Sequence, residues 1–257
     1  MTALRTLFDL SGRVALITGG SRGLGLQIAE ALGEFGARVA LAARKPDELA
    51  AAAARLAAQG VSASVFPSDL RTHMEAQALA NKVMEAYGRI DILVNNAGAS
   101  WGAPAEEHTP EQWRRVMDLN VDGLFFLSQA VAKSWMIPQK SGRIINIASI
   151  AGLKADLGVN TIAYSTSKGA VIMLTRALAA EWGHYGITVN AIGPGWFPSR
   201  MTRVVLERHG GELTGRTALG KLGGEDDLKG TALLLASDAG GHITGQTIFV
   251  DGGASIL

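Results

Sequence analysis

An α/β fold, a doubly wound sheet of seven parallel strands with helices on both faces, is predicted by three observations. Seven short apolar runs recur along the 257 residues, longer segments of helical periodicity separate them, and a glycine-rich turn joins the first run to its helix. Strand, helix, strand repeated in this way builds a parallel sheet through right-handed crossovers. A chain of this length with 47% hydrophobic residues can bury a sizeable core, and a single domain over residues 1–257 is expected.

The predicted strands are residues 14–17, 39–42, 61–66, 90–94, 144–148, 187–192 and 247–250. Several are apolar without alternation, as strands buried on both faces are. The predicted helices are residues 24–35, 46–59, 74–87, 111–136, 163–184 and 226–237. The fourth opens with Thr109-Pro110-Glu111-Gln112, where threonine caps, proline takes the first helical position and glutamine the third. Gly36, Gly60, Gly88 and Gly186 each follow a helix, where a left-handed terminal turn favours glycine. Only about 193–224, rich in Gly, Arg and Thr, lacks the strand–helix beat, and an irregular substrate lid is expected there.

Composition narrows the function classes. Charged residues are 18% of the chain and the net charge is +1, so neither nucleic acid nor a membrane surface is an expected partner. With no cysteine there is no disulfide framework or thiolate chemistry, which fits a reducing cytoplasm. The opening residues do not resemble a secretory signal, and no apolar stretch reaches the roughly 18 residues of a membrane span. His73, His108, His184, His209 and His242 are scattered without ligand spacing, so no metal is expected.

Residues 18–25, Thr-Gly-Gly-Ser-Arg-Gly-Leu-Gly, join the first strand to the first helix. Gly19, Gly23 and Gly25 let the backbone turn tightly, while the helix start around Ser21 and Leu24 offers free N–H groups to a pyrophosphate. An NAD site wants an acid at the end of the second strand; Ala42-Ala43-Arg44-Lys45 has none before Asp47. Arg44, with Arg22 in the glycine turn, suits a 2′-phosphate, so NADP(H) is the expected cofactor; the alternative is that Arg44 and Lys45 form a solvated helix start. Tyr164 and Lys168 stand four residues apart on one helix face, and Ser149 closes the apolar run before them. An ammonium beside a phenol favours the phenolate, and a serine hydroxyl can share the same substrate oxygen, so the trio can move a proton onto or off a carbonyl.

Taken in order, Thr18 to Gly25, Asp69, Asn95-Asn96-Ala97-Gly98, Asn120, Ser149, Tyr164, Lys168 and Pro194-Gly195 resemble the short-chain dehydrogenase/reductase family over nearly the whole chain. The resemblance implies a Rossmann-type fold and a homotetramer, with residues 251–254 near a second interface. It implies adenine contacts from Asp69 and Leu70, and passage of the cofactor ribose along Asn96, Ala97 and Gly98, with a structural role for Asn95. Lys168 would hold the nicotinamide ribose, Tyr164 would be the acid–base, Ser149 would orient the substrate oxygen and Asn120 would fix a water leading from Lys168 to solvent. Two departures stand out. The fifteen residues from Ser149 to Tyr164 exceed the commonest family interval, so a longer loop is expected at 152–161. The family's nicotinamide-binding threonine has only Ser199 or Thr202 near its slot.

The segment 196–203 should overhang the nicotinamide, with Phe197 against the cofactor and Trp101 nearby, either walling an apolar pocket or as ordinary lid packing. Lid cations Arg200, Arg203, Arg208, Arg216 and Lys221 outnumber Glu207 and Glu212, which suggests either an anionic substrate or solvated helix faces. Within the family the turn after Asn95 and the lid resemble bacterial 3-oxoacyl-thioester reductases, then gluconate 5-dehydrogenases. A catalytically idle nucleotide-binding regulator is the alternative of another class. Apolar residues on more than one side of the two longest helices (Phe125, Phe126 and Trp135; Val171, Ile172 and Leu174) suggest subunit contacts.

Overall fold

The computed structural model describes residues 2–155 and 159–257. Among them, seven strands form one wholly parallel sheet: β1 Val14–Thr18, β2 Arg38–Ala43, β3 Ala63–Pro67, β4 Ile92–Asn95, β5 Gly142–Ile147, β6 Ile187–Pro194 and β7 Thr247–Val250. Their spatial order is β3-β2-β1-β4-β5-β6-β7. The chain therefore reverses direction across the sheet between β1 and β4, which opens a crevice at the carboxyl ends of those strands.

Side-chain alternation explains the continuous apolar runs. Ala15 and Ile17 of β1 enter one core, and Val14 and Leu16 enter the other. The first core lies under α1 (Gly23–Glu34), α2 (Pro46–Ala58) and α7 (Lys229–Ala236). The second lies under α3 (His73–Tyr87), α4 (residues 110–139) and α5 (Ile162–Trp182). The edge strand β3 departs from the expectation of two buried faces, because it has a neighbour on one side only and Val65 is exposed.

Helix ends follow the sequence closely. Thr109 and Gln112 form the reciprocal capping box at the start of α4, and Gly36, Gly60, Gly88 and Gly186 all have positive φ. The α4 helix carries two wide turns, Asp118–Gly123 and Ala132–Met136, where the backbone adopts π geometry. The main correction concerns residues 193–224, expected to be irregular. A thirteen-residue helix, α6 (Arg203–Gly215), lies there. Gly210 and Gly211 lower its intrinsic helicity, and Leu213 is its one buried residue, so no apolar stripe marked it. The seventh helix also starts later than expected, at Lys229 rather than 226.

Of the apolar surplus expected on α4 and α5, only Val171 is fully covered within the chain; Phe125, Phe126, Trp135, Ile172 and Leu174 are half-buried. Phe125 packs on Phe126 at 5.2 Å, Trp135 lies under Arg89, and Val171 is fully buried. Met173 remains exposed on α5, as do Ile256 and Leu257 at the end of the chain. Among the described residues, no helix is long and apolar enough to cross a membrane, and no three His, Cys, Asp or Glu side chains are grouped to hold a metal ion.

Candidate active site

A cleft of about 550 Å³ runs along the carboxyl ends of the strands. The turn after β1 forms one end of its floor. Gly19 has φ +63° and an added Cβ would meet the Asn96 amide at 2.7 Å; at Gly25 a Cβ would collide with the same amide and with the Gly19 carbonyl. Asn96 is fixed in turn, donating to the carbonyl oxygens of Thr18 (2.9 Å) and Gly19 (3.1 Å). The Thr18 hydroxyl accepts from the backbone N–H groups of Asn96 and Ala97, both at 3.0 Å. Thus Thr18 and Asn96 hold the glycine turn against the turn after β4. Asn95 faces the other way and is buried. Its amide donates to Ser128 and to Asn146 of β5, each at 2.9 Å, which ties the central strands together.

The first turn of α1 has no side-chain cap, and an added Cβ at Gly23 would meet open space. Free N–H groups at a helix start facing an open cradle fit a pyrophosphate. Beside the cradle, Arg22, Arg44 and Lys45 line the cleft with two acids, Glu48 and Asp69. This donor set fits a phosphorylated ribose better than a bare hydroxyl pair. Arg22 and Lys45 both bridge to Glu48, the latter at 3.1 Å. Hydrogen bonding from Lys45, reinforced by the charges of Arg22 and Arg200, holds the Glu48 carboxyl below its usual range. Asp69 also lines the cleft, but its carboxylate accepts from Arg71 Nε at 3.0 Å and is lowered mainly by that contact. An adenine contact would have to share it. Leu70 is buried in the second core as well as lining the cleft.

The far wall carries the trio at the ends of β5 and α5. Ser149 accepts from the Ala151 N–H at 3.1 Å and is nearly buried. Tyr164 and Lys168 share the wall, with the Lys168 Nζ 5.6 Å from the Tyr164 ring centre. Two features differ from the expectation that the amine makes the phenol acidic. Burial pushes the Tyr164 hydroxyl above its ordinary value, and a hydrogen bond with Ser149 offsets only part of this. Lys168 is itself lowered to about 8 by burial, and its Nζ donates to the Ile147 carbonyl at 2.6 Å. A desolvated amine directed at a backbone oxygen is a weak partner for the phenol.

Asn120 lies one layer behind the cleft, in the first wide turn of α4. Its amide accepts from Ala99 N at 2.8 Å and donates to Ala99 O and Ser167 Oγ, both at 2.9 Å. Ser167 donates to the Tyr164 carbonyl at 2.7 Å. The side chain expected to hold a water thus links the turn after β4 to the helix turn bearing Tyr164.

Pro194, Gly195, Phe197 and Ser199 line the cleft where β6 ends. Phe197 is 4% exposed and belongs to the first core, so it anchors the segment more than it overhangs. Ser199 and Thr202 bond each other at 3.0 Å, and the Thr202 hydroxyl donates to the Phe197 carbonyl at 2.6 Å. Both candidate nicotinamide-amide partners therefore already form a local turn. Part of the loop expected to be longer, residues 156–158, lies outside the described residues.

Of the expected site residues, Gly19, Ser21, Arg22, Gly23, Leu24, Arg44, Asp69, Leu70, Asn96, Ala97, Gly98, Ser149, Tyr164, Lys168, Pro194, Gly195, Phe197 and Ser199 line this one cleft; Gly25 and Asn120 support it from behind. Sequence reading missed Glu48 and Arg115 as lining residues and Thr18 as a clasp. Glu48 and Arg115 sit on ordinary-looking helix faces and carry no local signal. The lid cations, taken as a surplus, are largely paired: Arg203 with Glu207 at 3.9 Å, Arg216 with Glu212 at 2.6 Å and Lys221 with Asp227 at 3.4 Å.

Comparison with known proteins places this geometry in context. The family described as short chain dehydrogenase matches residues 13–209. The chain is similar to a rhamnolipids biosynthesis 3-oxoacyl-[acyl-carrier-protein] reductase of Pseudomonas aeruginosa, 41% identical over 96% of this chain and 97% of that protein. It is also similar to a gluconate 5-dehydrogenase of Gluconobacter oxydans, 38% identical over 97% of both chains. A crystal structure of a gluconate 5-dehydrogenase from Burkholderia cenocepacia in complex with NADP and tartrate superposes with a TM-score of 0.94, at 38% identity, over 99% of this chain and 100% of that one.

Proposed function

The chain belongs to the short-chain dehydrogenase family, and on that premise we propose that it is an NADP(H)-dependent oxidoreductase reducing a 3-oxoacyl thioester to the secondary alcohol. The observation that carries the reaction class is one cleft with a cation-lined phosphate cradle at one end and Ser149, Tyr164 and Lys168 on its far wall. When bound, the reduced nicotinamide supplies the hydride that the carbonyl carbon receives. The chain's own residues do the rest. The glycine turn and the first turn of α1 bind the pyrophosphate, while Arg22 and Arg44 bind the 2′-phosphate.

A phenol raised by burial is protonated at neutral pH, which suits donation to the carbonyl oxygen. As charge develops on that oxygen, the Tyr164 and Ser149 hydroxyls stabilise it; removing one donor of this kind costs roughly 10²- to 10³-fold in kcat. Lys168, lowered to about 8, can return a proton to Tyr164 once the ammonium turns from the Ile147 carbonyl. Asn120, through Ser167, keeps the Tyr164 turn in register with the wall.

Lid chemistry favours the thioester reading. Two of its five cations, Arg203 and Arg216, pair within the lid, and Met201, which lines the cleft, exposes apolar surface. Residues 193–224 then act as the substrate lid of a single domain. One observation favours the sugar-acid reading instead: Arg115 lines the cleft and stacks over Trp101 at 5.0 Å, with its cation available to a carboxylate. Oxidation of NADPH followed at 340 nm with acetoacetyl thioesters, 5-ketogluconate and simple cyclic ketones decides among these. Turnover of 5-ketogluconate with none of the thioesters would overturn the substrate reading, and no turnover of any ketone would favour an idle nucleotide-binding regulator. A homotetramer joined through α4, α5 and the exposed chain end is part of the same reading, and light scattering giving a monomer would refute it.

A further inference from the structure

The cations beside the glycine turn include one that comes from the opposite side of the cleft. Arg200 follows β6, whereas Glu48 stands in the first turn of α2, beyond the end of β2. Three strands separate β2 from β6, which at about 4.8 Å per step is a span of about 19 Å. Yet the Arg200 Nη1 lies 3.5 Å from the Glu48 Oε1, the same oxygen that Lys45 reaches at 3.1 Å, while Arg22 bridges the other oxygen. Arg200 and Glu48 both line the cleft.

Three cations around one carboxylate leave a surplus of two positive charges in a mouth where no second acid bridges them among the described residues. A phosphate carrying about two negative charges and three acceptor oxygens matches that surplus. We propose that Arg200 reads the cofactor 2′-phosphate from the lid, and that Glu48 holds the place of that phosphate until the cofactor binds. This rests on the NADP(H) reading above. Beside Arg44, the phosphate takes over Arg22, Lys45 and Arg200 from Glu48, so the group that distinguishes the two dinucleotides also keeps the segment after β6 across the cleft. Arg200 is thereby a specificity-determining residue delivered by the lid, and Glu48 is its competitor.

The test is calorimetric titration of the full chain, without nicotinamide, using 2′,5′-ADP and 5′-AMP as fragments with and without the 2′-phosphate. Arg200→Gln should weaken 2′,5′-ADP by about fivefold and leave 5′-AMP unchanged, which also reports an intact fold. Glu48→Gln should tighten 2′,5′-ADP by about threefold, because a competing charge is lost while the side-chain shape remains. Arg203→Gln, which removes the lid cation paired with Glu207, should change neither. An unchanged ratio of the two fragments in Arg200→Gln, or weaker 2′,5′-ADP binding in Glu48→Gln, would overturn the inference while the NADP(H) reading stood. A wild-type chain that binds both fragments equally would overturn both.

Discussion

Replacing Lys168 by methionine isolates the energetic consequence of burying its amine. Lys168 is 5% exposed, and burial lowers it from 10.5 to about 8. The folded state therefore binds fewer protons than the unfolded chain between those values, so wild-type stability rises with pH across that window. The full difference corresponds to about 3 kcal/mol, of which about 2.5 kcal/mol falls between pH 7 and 10. Methionine does not titrate, has a similar length and forgoes the bond to the Ile147 carbonyl at every pH. Other titrating groups are common to both proteins and cancel in the difference. For a chain of this size 1 kcal/mol moves Tm by about 2 °C, so the wild type should gain about 5 °C on Lys168→Met between pH 7 and 10. Thermal melts of both cofactor-free proteins at the two pH values read this directly. A Tm difference constant to within about 1 °C would show that the amine is not desolvated, and the proton-return role would lose its basis.

Tyr164→Phe should lower kcat by at least about 10³-fold while NADPH binding, followed by cofactor fluorescence, survives; retained turnover would remove the acid–base assignment. Ser149→Ala should lower kcat by about 10²-fold with a smaller change in KM, because the lost donor acts on developing charge. Combining Ala43→Asp with Arg44→Ala should reverse a wild-type preference for NADPH over NADH in kcat/KM; a wild type that prefers NADH would show the strand end misread. Gly25→Ala places a methyl against the Asn96 amide and the Gly19 carbonyl, and should cost about 1–3 kcal/mol in chemical denaturation together with cofactor affinity.

The fold and the membership of the cleft were legible in the sequence because both depend on local signals. Strands buried on two faces read as unbroken apolar runs, glycines mark left-handed helix ends, and a glycine-rich turn between strand and helix declares a phosphate cradle whatever surrounds it. Tyr164 and Lys168 needed only helical spacing to share a wall. Tertiary structure alone decided the charge states and partners. Lys168 meets a carbonyl twenty-one residues away, Tyr164 is raised by burial, and Glu48 collects cations from the glycine turn, its own helix start and the distant lid. Desolvation and ion pairing depend on what the fold packs around a group, and local periodicity carries no record of neighbours brought from far along the chain. The lid helix escaped for a related reason: with one buried residue, it is held by its surroundings rather than by a stripe of its own.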